Sequence, residues 1–467
     1  MNMVNLDTKI IKQAVYRLCY DANTRLNYRI YARLLSAYQN TNDINIKLYL
    51  AAILKNAKLA NKNKRPLCQD TGQVIVFVSI GQEVSLKGEL LSKVINEAVA
   101  ECYTDNFFRK SVVKDALFDR DNTKDNTPVI IYTDIVAGDE MKIDVLIKGA
   151  GAENKSKAQM LLPSSDKEDI IAFIGDTILE SGLSSCPPLF IGVGIGGTLD
   201  QACVLSKKAL FIDHNESKEK EHFASRILEY VTKKAPDGFA GNYVLDIGVK
   251  TAQTHMACLP VCVTLSCHSS REASCVIKDS QIQYLKVDYD LFEIEDASYK
   301  DFIEINTKDV EKIKKLKKNQ NVLLSGEIIV ARDAAHKRLS EIFEKGGDMP
   351  FKIKDSVIFY AGPCPSTPDE IIGPIGPTTA SRMDSFAPFL YDLGMLATIG
   401  KGERNEKVKE SIRKNSGVYF SVGGGIASLL ANTVKKAEII AFEDLGAEAI
   451  YRLQVEKLPV KVEVAAN

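Results

Sequence analysis

A cysteine, an amide, a carboxylate and a hydroxyl occupy four consecutive positions, residues 68–71. They precede an apolar run over residues 74–78, which predicts a buried strand. Polar connections at strand ends often carry catalytic groups, so Cys68 is a candidate metal ligand and Asp70 a candidate proton carrier. A turn with one buried thiol, closed by Gly72, explains the same residues. The stretch by itself leaves both interpretations open.

The composition is that of a globular protein with about two to four domains. The 467 residues are 45% hydrophobic and 26% charged, with 60 Lys and Arg against 61 Asp and Glu. This balance argues against nucleic acid or an anionic membrane as the main partner. No apolar run is long enough to span a bilayer, and no secretory signal is expected, so we expect a cytoplasmic protein. Its ten cysteines are then expected to be free thiols or metal ligands.

A glycine-rich segment follows a Cys-Pro-Pro sequence that begins at Cys186. Gly192, Gly194 and Gly197 have the spacing of a dinucleotide-binding fingerprint, and Asp213 follows roughly twenty residues later. The glycines come late in the chain, and no clear βαβ unit is evident at this point. A nicotinamide-dependent oxidoreductase is therefore a distant alternative.

Residues 251–275 contain four cysteines and two histidines. Alternating apolar residues between positions 259 and 265 predict a strand that buries most of these thiols. Cys267 follows that strand, beside His268 and Arg271, and is the better ligand candidate. A non-catalytic metal-binding regulator is a further alternative.

The chain divides into two predicted domains of the α/β class. Its composition becomes charged and poor in glycine after about residue 276, which predicts a linker over residues 281–305. The first predicted domain is 1–280 and the second is 306–467. Alternating strand and helix patterns, including a helix over 380–392, favour α/β architecture in the second domain.

Eight motifs, in order along nearly the whole chain, resemble the iron–sulfur, class I fumarate hydratases and their L-tartrate dehydratase relatives. The motifs are Cys-Gln-Asp-Thr-Gly at 68–72, Gly-Ala-Gly-Ala-Glu-Asn-Lys-Ser at 149–156, Cys-Pro-Pro with the glycine run at 186–197, Thr-His at 254–255 with Cys-His at 267–268, Leu-Ser-Gly at 324–326, Arg-Asp-Ala-Ala-His-Lys-Arg at 332–338, Gly-Pro-Thr-Thr at 376–379 and Ile-Gly-Lys-Gly at 399–402. Because the glycine run belongs to this pattern, the nicotinamide alternative becomes weaker.

The resemblance implies the architecture as well. The family's alpha and beta regions would be fused in one chain, joined near the predicted linker. The N-terminal domain would be a mixed α/β cluster-binding domain and the C-terminal domain an α/β domain of the swivelling type, with the active site between them. A homodimer is also implied.

The activity implied by the resemblance is a hydro-lyase reaction of the tricarboxylic acid cycle, the reversible hydration of fumarate to (S)-malate. L-Tartrate and mesaconate are alternative substrates. A 4Fe–4S cluster would be held by Cys68, Cys186 and Cys267, leaving one iron open to the dicarboxylate. The other seven cysteines would then be core or incidental thiols.

The resemblance also implies roles for polar residues. Asp70 and Thr378 match the family's proton-transfer pair, and His255 matches a histidine that reaches the substrate, possibly across a dimer interface. The positions matching the family's substrate-binding residues are Gln69, Arg109, Gly151, His255, Arg332, Arg382 and Lys401. Arginine suits this role because its guanidinium binds carboxylates through two parallel hydrogen bonds.

Overall fold

The computed structural model describes residues 3–212, 217–235, 241–285, 294, 299 and 301–466. The chain forms two compact units. The first comprises Met1–Arg65 and Asp70–Ile294, and the second comprises Pro66–Gln69 and Glu295–Asn467. A four-residue segment, Pro66–Gln69, therefore belongs to the second unit although the first surrounds it in sequence. The predicted linker lies partly outside the described residues, and the predicted domain bounds stay a prediction.

The first unit is a mixed α/β structure. Its helices are α1 Thr8–Thr24, α2 Tyr28–Asn40, α3 Ile44–Asn63, α4 Leu91–Asp105, α5 Ala150–Glu153, α6 Lys167–Glu180, α7 Leu199–Lys208 and α8 Lys218–Lys234, with a 3-10 turn at Gly182–Ser185. Its strands are β1 Val4–Asp7, β2 Gln73–Gly81, β3 Val84–Lys87, β4 Ile130–Val136, β5 Met141–Lys148, β6 Lys157–Leu161, β7 Leu189–Ile195, β8 Val244–Thr251, β9 Leu259–Ser266, β10 Arg271–Lys278 and β11 Gln281–Tyr284.

Two sheets carry the candidate residues of this unit. The larger has the strand order β11-β10-β5-β2-β4, and the second has the order β6-β9-β7-β8; β1 and β3 form a separate parallel pair. Helices α1 and α4 bury Leu18 and Ala98 against Val76 and Val145 of the larger sheet. The predicted strand at 73–80 is confirmed, so Asp70 and Thr71 do lie just before a buried strand.

The glycine run lies where α7 packs on β7. Strands β7 and β8 are parallel neighbours with α7 and α8 between them in sequence, so a βαβ connection is present, and the expectation that none begins here was wrong. A Cβ atom at Gly192 would lie 2.0 Å from the Ser206 carbonyl oxygen, and one at Gly194 would lie 2.1 Å from that of Ala202. Close helix packing therefore accounts for these glycines without a bound nucleotide. Asp213 lies outside the described residues.

The second unit is built on one seven-stranded sheet. Its strands are β12 Ile303–Asn306, β13 Asn321–Val330, β14 Val357–Phe359, β15 Ala397–Gly400, β16 Val418–Ser421, β17 Val434–Ala441 and β18 Ile450–Ala465. Its helices are α9 Val310–Lys314, α10 Asp333–Glu344, α11 Ala387–Asp392, α12 Glu406–Lys414 and α13 Ala427–Ala431, with 3-10 segments at Ala380–Met383 and Glu443–Glu448.

Strand β18 closes this sheet on itself. The order is β12-β13-β14-β15-β16-β18-β17, and β18 also pairs with β13. Strands β12 to β16 are mutually parallel, whereas β18 runs antiparallel to its neighbours. The predicted α/β class is confirmed. The continuous helix predicted over 380–392 was wrong, because a 3-10 turn ends at Met383 and α11 begins only at Ala387, next to Pro388.

No helix in the described part of the chain is long and apolar enough to cross a membrane.

His336 is a fully buried imidazole in the second unit. Its ring meets Tyr360 edge-on at 5.2 Å between centroids, and its Nδ1 lies 3.1 Å from the Arg332 carbonyl oxygen. Burial lowers the pKa of His336 from 6.5 to about 4. The native state therefore holds this histidine neutral over a pH range in which the unfolded chain would protonate it.

We expect the free energy of unfolding to fall as the pH is lowered from 6.5 towards 4. The unfolded state binds the proton first, and the full loss from this one group is about 3 kcal/mol. The measurement is urea unfolding followed by far-ultraviolet circular dichroism at several pH values. The variant His336→Gln should lose most of this slope, while His222→Gln, at an exposed position on α8, should keep it. Equal slopes in all three proteins would contradict the assignment.

Candidate active site

The Asp70 carboxylate lies beside the first residue of α5, in the first unit. Its Oδ2 accepts a hydrogen bond of 2.8 Å from the Ala150 amide, and its Oδ1 accepts from the Gly72 amide and from Arg109 Nη2, both at 3.3 Å. A Cβ atom at Gly149 would lie 3.2 Å from Asp70 Oδ2, so glycine there leaves room for the carboxylate. Two of the predicted site residues, Asp70 and Arg109, are therefore in direct contact.

The turn after Asp70 depends on Gly72. Its φ is +64°, and a Cβ atom there would lie 2.5 Å from the Lys148 carbonyl oxygen. Thr71 donates through Oγ1 to the Arg109 carbonyl oxygen at 2.5 Å, which fixes the Arg109 backbone to the same turn. The predicted turn at Gly72 is confirmed. The half-buried Asp70 carboxylate lies in the same stretch, so the turn and a candidate functional group occur together.

Two buried cations connect Asp70 to the turn that carries Cys267. Arg271, at the start of β10, donates through Nη1 to the Asp70 carbonyl oxygen. Lys148, at the end of β5, donates to the carbonyl oxygen of Leu265, near the end of β9, and forms an ion pair of 3.7 Å with Glu153 of α5. Burial lowers the pKa of Lys148 to about 8. The end of β5 and the β9–β10 turn are thus held together.

Cys186 and Cys267 lie close to each other in this unit. The amide of His268 donates to the Cys186 carbonyl oxygen at 3.4 Å, and Cys267 Sγ lies 3.1 Å from Ser269 Oγ. Burial raises the pKa of Tyr49 well above 10, and the negative potential of both Cys186 and Cys267 adds to this shift. The Tyr49 hydroxyl therefore lies within electrostatic range of both sulfurs and stays neutral beside them.

Several other cysteines are plain core thiols. Burial raises the pKa of Cys275 to about 12 and of Cys262 to about 11, and it raises those of Cys19 and Cys102 as well. Metal ligation requires the thiolate, which burial disfavours in these four. The prediction that they belong to the core is confirmed.

Cys68 and Gln69 belong to the second unit. Cys68 Sγ donates to Gln69 Oε1 at 3.4 Å, and Gln69 Nε2 donates to the Pro377 carbonyl oxygen at 3.3 Å. A Cβ atom at Gly376 would lie 2.2 Å from Gln69 Oε1, so a side chain there would displace the Gln69 amide. Cys68 and Gln69 are thereby held beside the segment that leads into Thr378.

Thr378 and Lys401 lie on adjacent backbone segments. Lys401 donates its amide to the Thr378 carbonyl oxygen at 3.2 Å, and its own carbonyl oxygen accepts from Ala380 at 2.8 Å. The short 3-10 turn that begins at Ala380 carries Arg382. Three predicted site residues, Thr378, Arg382 and Lys401, are thus brought together, with Thr378 itself buried.

Asp333 joins Arg382 to Arg332, and it is not among the site residues that the sequence predicts. Its Oδ1 accepts from Arg382 Nε at 2.8 Å, and its Oδ2 lies 2.8 Å from Arg382 Nη2 and 3.1 Å from Arg332 Nε. Burial works against the charged form of Asp333, but Arg382 and Arg332 outweigh it and lower the pKa. Arg332 also contacts Glu448 at 2.9 Å. One carboxylate therefore orients both guanidinium groups.

Replacing Asp333 by Asn should raise KM for a dicarboxylate about tenfold and change kcat much less. Loss of the two-point pairing with Arg382 should cost on the order of 1–2 kcal/mol of substrate binding free energy. The cost is limited to this range because half of the Arg382 side chain is exposed to water. Steady-state kinetics test this. Asp444→Asn is the matched control, because Asp444 makes a similar two-point contact with Arg338 at the surface. A tenfold change in the control, or none in Asp333→Asn, would contradict the assigned role.

His255 and Gly151 are placed differently from the other candidates. His255 is exposed in the loop between β8 and β9, where its Nδ1 accepts from the Ala257 amide at 3.1 Å. Within the described ranges, no hydrogen bond or ion pair joins His255 to the other candidate residues. Gly151 lies in the first turn of α5, one residue after the amide that binds Asp70.

The family model described as "Fumarate hydratase (Fumerase)" matches residues 12–276, and the model described as "Fumarase C-terminus" matches residues 280–467. A relative from Escherichia coli (strain K12), named "Fumarate hydratase class I, anaerobic", is 30% identical over 448 residues, which are 89% of this chain and 80% of the relative. The chain belongs to the class I fumarate hydratase family.

Other relatives are named either as fumarate hydratases or as a tartrate dehydratase subunit. "Fumarate hydratase 1, mitochondrial" from Leishmania major is 30% identical over 453 residues, 90% of this chain and 82% of the relative. "Putative L(+)-tartrate dehydratase subunit alpha" from Methanocaldococcus jannaschii is 34% identical over 276 residues, 56% of this chain and 96% of the relative. The fumarate hydratases therefore match both units, and the tartrate dehydratase subunit matches about half of the chain.

A site for a single metal ion and a site for an iron–sulfur cluster need different spacings between their ligands. Among the residues that the structure describes, no three Cys, His, Asp or Glu side chains are arranged to hold one metal ion. The thiolates of a 4Fe–4S cluster each bind a different iron, which is a more widely spaced arrangement. Cys68 and Cys186 are buried, and Cys267 is half-buried.

Proposed function

We propose that this protein catalyses the reversible hydration of fumarate to (S)-malate. The observation that carries the proposal is the pairing of Arg332 and Arg382 on Asp333, on the same unit as Thr378 and Lys401. A substrate with two carboxylates needs several fixed cations. Family membership, with relatives named fumarate hydratase over about nine-tenths of the chain, supports the same conclusion.

Cys68, Cys186 and Cys267 would hold a 4Fe–4S cluster. The proximity of Cys186 and Cys267 to each other and to Tyr49 supports this set. When bound, such a cluster with three protein ligands supplies an open iron that acts as a Lewis acid on the substrate hydroxyl and a carboxylate.

The arginines and Lys401 bind and orient the substrate carboxylates. Loss of the malate carbon proton places negative charge on the adjoining carboxylate, which the guanidinium groups held by Asp333 bind in the substrate and in the transition state alike. Gln69 and the Gly151 amide add hydrogen bonds, and Arg109 contributes a further cation beside Asp70. His255 contributes from a second copy of the chain in the homodimer that we propose.

Asp70 and Thr378 form the proton-transfer pair. Both Asp70 oxygens accept N–H hydrogen bonds, so the carboxylate is held in one orientation ready to take or return a proton. Thr378 offers a hydroxyl on a backbone tied to Lys401. We place the protein in the cytoplasm.

The predicted division into domains 1–280 and 306–467 remains part of this proposal. The first family match ends at residue 276 and the second begins at residue 280, which supports a boundary near residue 280. The first domain would supply all three cluster ligands, and the second would supply most of the cations.

Tartrate or mesaconate is the alternative substrate, because both differ from fumarate and malate by small substituents. The matches to fumarate hydratases over both units favour fumarate. The test is to purify the chain without oxygen, reconstitute it with iron and sulfide, and compare kcat/KM for fumarate, (S)-malate, L-tartrate and mesaconate. We expect fumarate and malate to exceed the others by at least about tenfold. A higher kcat/KM for tartrate or mesaconate would overturn the substrate assignment.

A further inference from the structure

A fully buried guanidinium lies three residues after Lys401. The Arg404 side chain has 0% exposure, and its guanidinium lies 5.2 Å from the ring centre of Tyr360 and 5.3 Å from that of Tyr419. Nη1 donates to the Tyr360 hydroxyl at 3.3 Å and to Thr398 Oγ1 at 3.4 Å. Arginine retains its charge in such a site because the aromatic faces and acceptors replace water.

The acidic partner of Arg404 lies two residues after Arg382. Asp384 Oδ1 accepts from Arg404 Nε at 2.7 Å, and Asp384 Oδ2 accepts from the Asn405 amide at 2.9 Å. Both oxygens of one carboxylate are therefore used to hold two consecutive residues of the loop after Lys401. The pair connects the segment that carries Arg382 with the segment that carries Lys401.

Tyr419 restrains the middle of the same loop. Its hydroxyl donates to the Gly402 carbonyl oxygen at 2.7 Å, and Gly402 has a φ of +77°. The loop from Lys401 to Asn405 is thus held by backbone bonds at its start, by Tyr419 in its middle and by Asp384 at its end. Buried ion pairs in general contribute little net stability. We therefore assign the Arg404–Asp384 pair to fixing the conformation of this loop.

We propose that Arg404 and Asp384 are positioning residues that set the distance between Arg382 and Lys401, and with it the affinity of the site for a dicarboxylate. The inference rests on the proposed function, because it assigns carboxylate binding to Arg382 and Lys401. Neither member of the pair would touch the substrate. The pair acts through the two cations whose backbones it connects.

The test uses Arg404→Lys and Asp384→Asn in the reconstituted full chain. Lysine keeps the charge but loses the fork and the ring stacking. We expect KM for malate and the Kd for succinate, an unreactive dicarboxylate, to rise by the same factor of about ten, with kcat changed by less than about threefold. Iron and sulfide content should match the wild type. The milder Tyr419→Phe keeps the aromatic packing and should raise both constants about two- to threefold.

Arg29→Lys is the matched control for loss of a buried ion pair. Arg29 contacts Asp246 at 2.9 Å and Glu272 at 3.0 Å in the first unit. None of these three residues is a candidate site residue. We expect a lower Tm with unchanged KM and Kd. If Arg404→Lys and Asp384→Asn lower Tm but leave both constants at the wild-type value, or shift them no more than Arg29→Lys does, the proposal is overturned.

The two proposals fail in different ways. A wild-type protein that binds succinate but does not hydrate fumarate would refute the proposed function, while the succinate Kd would still test the positioning pair. A wild-type protein that neither hydrates fumarate nor binds succinate would refute both. If Arg404→Lys does not fold, an unchanged succinate Kd in the folded Tyr419→Phe variant would overturn the positioning role.

Discussion

Cys267→Ser is expected to remove bound iron and turnover together, whereas Cys258→Ser should leave both in place. The two cysteines flank the same strand, with Cys258 directly before β9 and Cys267 directly after it, and both are half-buried. Only Cys267 is held next to Cys186, through the His268 amide. A serine hydroxyl is a poor ligand for iron, so the cluster loses one of its three thiolates.

The expected loss is large because the open iron contributes several kcal/mol to the transition state, which corresponds to roughly a thousandfold in kcat. The measurements are iron and sulfide content after anaerobic reconstitution, and the rate of fumarate hydration on the same samples. Circular dichroism establishes that both variants fold. Full cluster loading in Cys267→Ser, or loss of the cluster in Cys258→Ser, would show that the ligand set is wrong.

Asp70→Asn is expected to lower kcat by about 10² to 10⁴, the range for loss of a general acid or base. The amide has the same shape and keeps one acceptor for the Ala150 amide, so the turn is preserved. KM should change by less than about threefold, because proton transfer is an interaction made only in the transition state. Cluster content should remain that of the wild type.

Asp166→Asn is the matched control for this substitution. Asp166 also accepts amide hydrogen bonds at a helix start, from Glu168 and Asp169 at the beginning of α6, and it is none of the predicted site residues. The assay combines steady-state kinetics with exchange of the malate carbon-bound hydrogen in deuterated water. If Asp70→Asn retains the exchange rate while losing net hydration, Thr378 is the group that takes the carbon-bound proton. A kcat within tenfold of wild type would exclude Asp70 from proton transfer altogether.

Much of the fold follows from local patterns in the sequence. The apolar run after residue 73 predicts β2, which is buried on both faces along most of its length. The helical spacing over 8–21 predicts α1, which buries one face. Strand β18 does not follow in this way. Pro459 and a positive φ at Lys457 interrupt its apolar alternation, and its length becomes favourable only because it pairs with β13, β16 and β17 at once.

The candidate residues were found by type and motif, but the groups that orient them were not. Asp333 holds Arg382 from 49 positions away, and Asp384 holds Arg404 from 20 positions away. Such pairings depend on tertiary contacts between residues that are distant in sequence, and local sequence patterns do not predict these contacts. Lys148 carries one usable signal: a charge at the end of the buried run of β5 requires a partner, and Glu153 and Leu265 provide it.

The glycines after Cys186 show how one pattern serves two purposes. Their spacing matches a nucleotide-binding fingerprint because both cases need a helix to approach a strand closely. In this chain the carbonyl oxygens of Ser206 and Ala202 occupy the space that side chains would need at Gly192 and Gly194. Packing alone is therefore enough to select glycine at these positions.

The central claim is that fumarate hydration depends on a cluster bound by Cys68, Cys186 and Cys267. Its most direct test is the rate of malate formation from fumarate as a function of iron bound per chain, under anaerobic conditions. We predict no activity in the iron-free protein, an increase in proportion to bound iron, and a plateau at about four irons per chain. Turnover in iron-free protein, or none in fully loaded protein, would contradict the account.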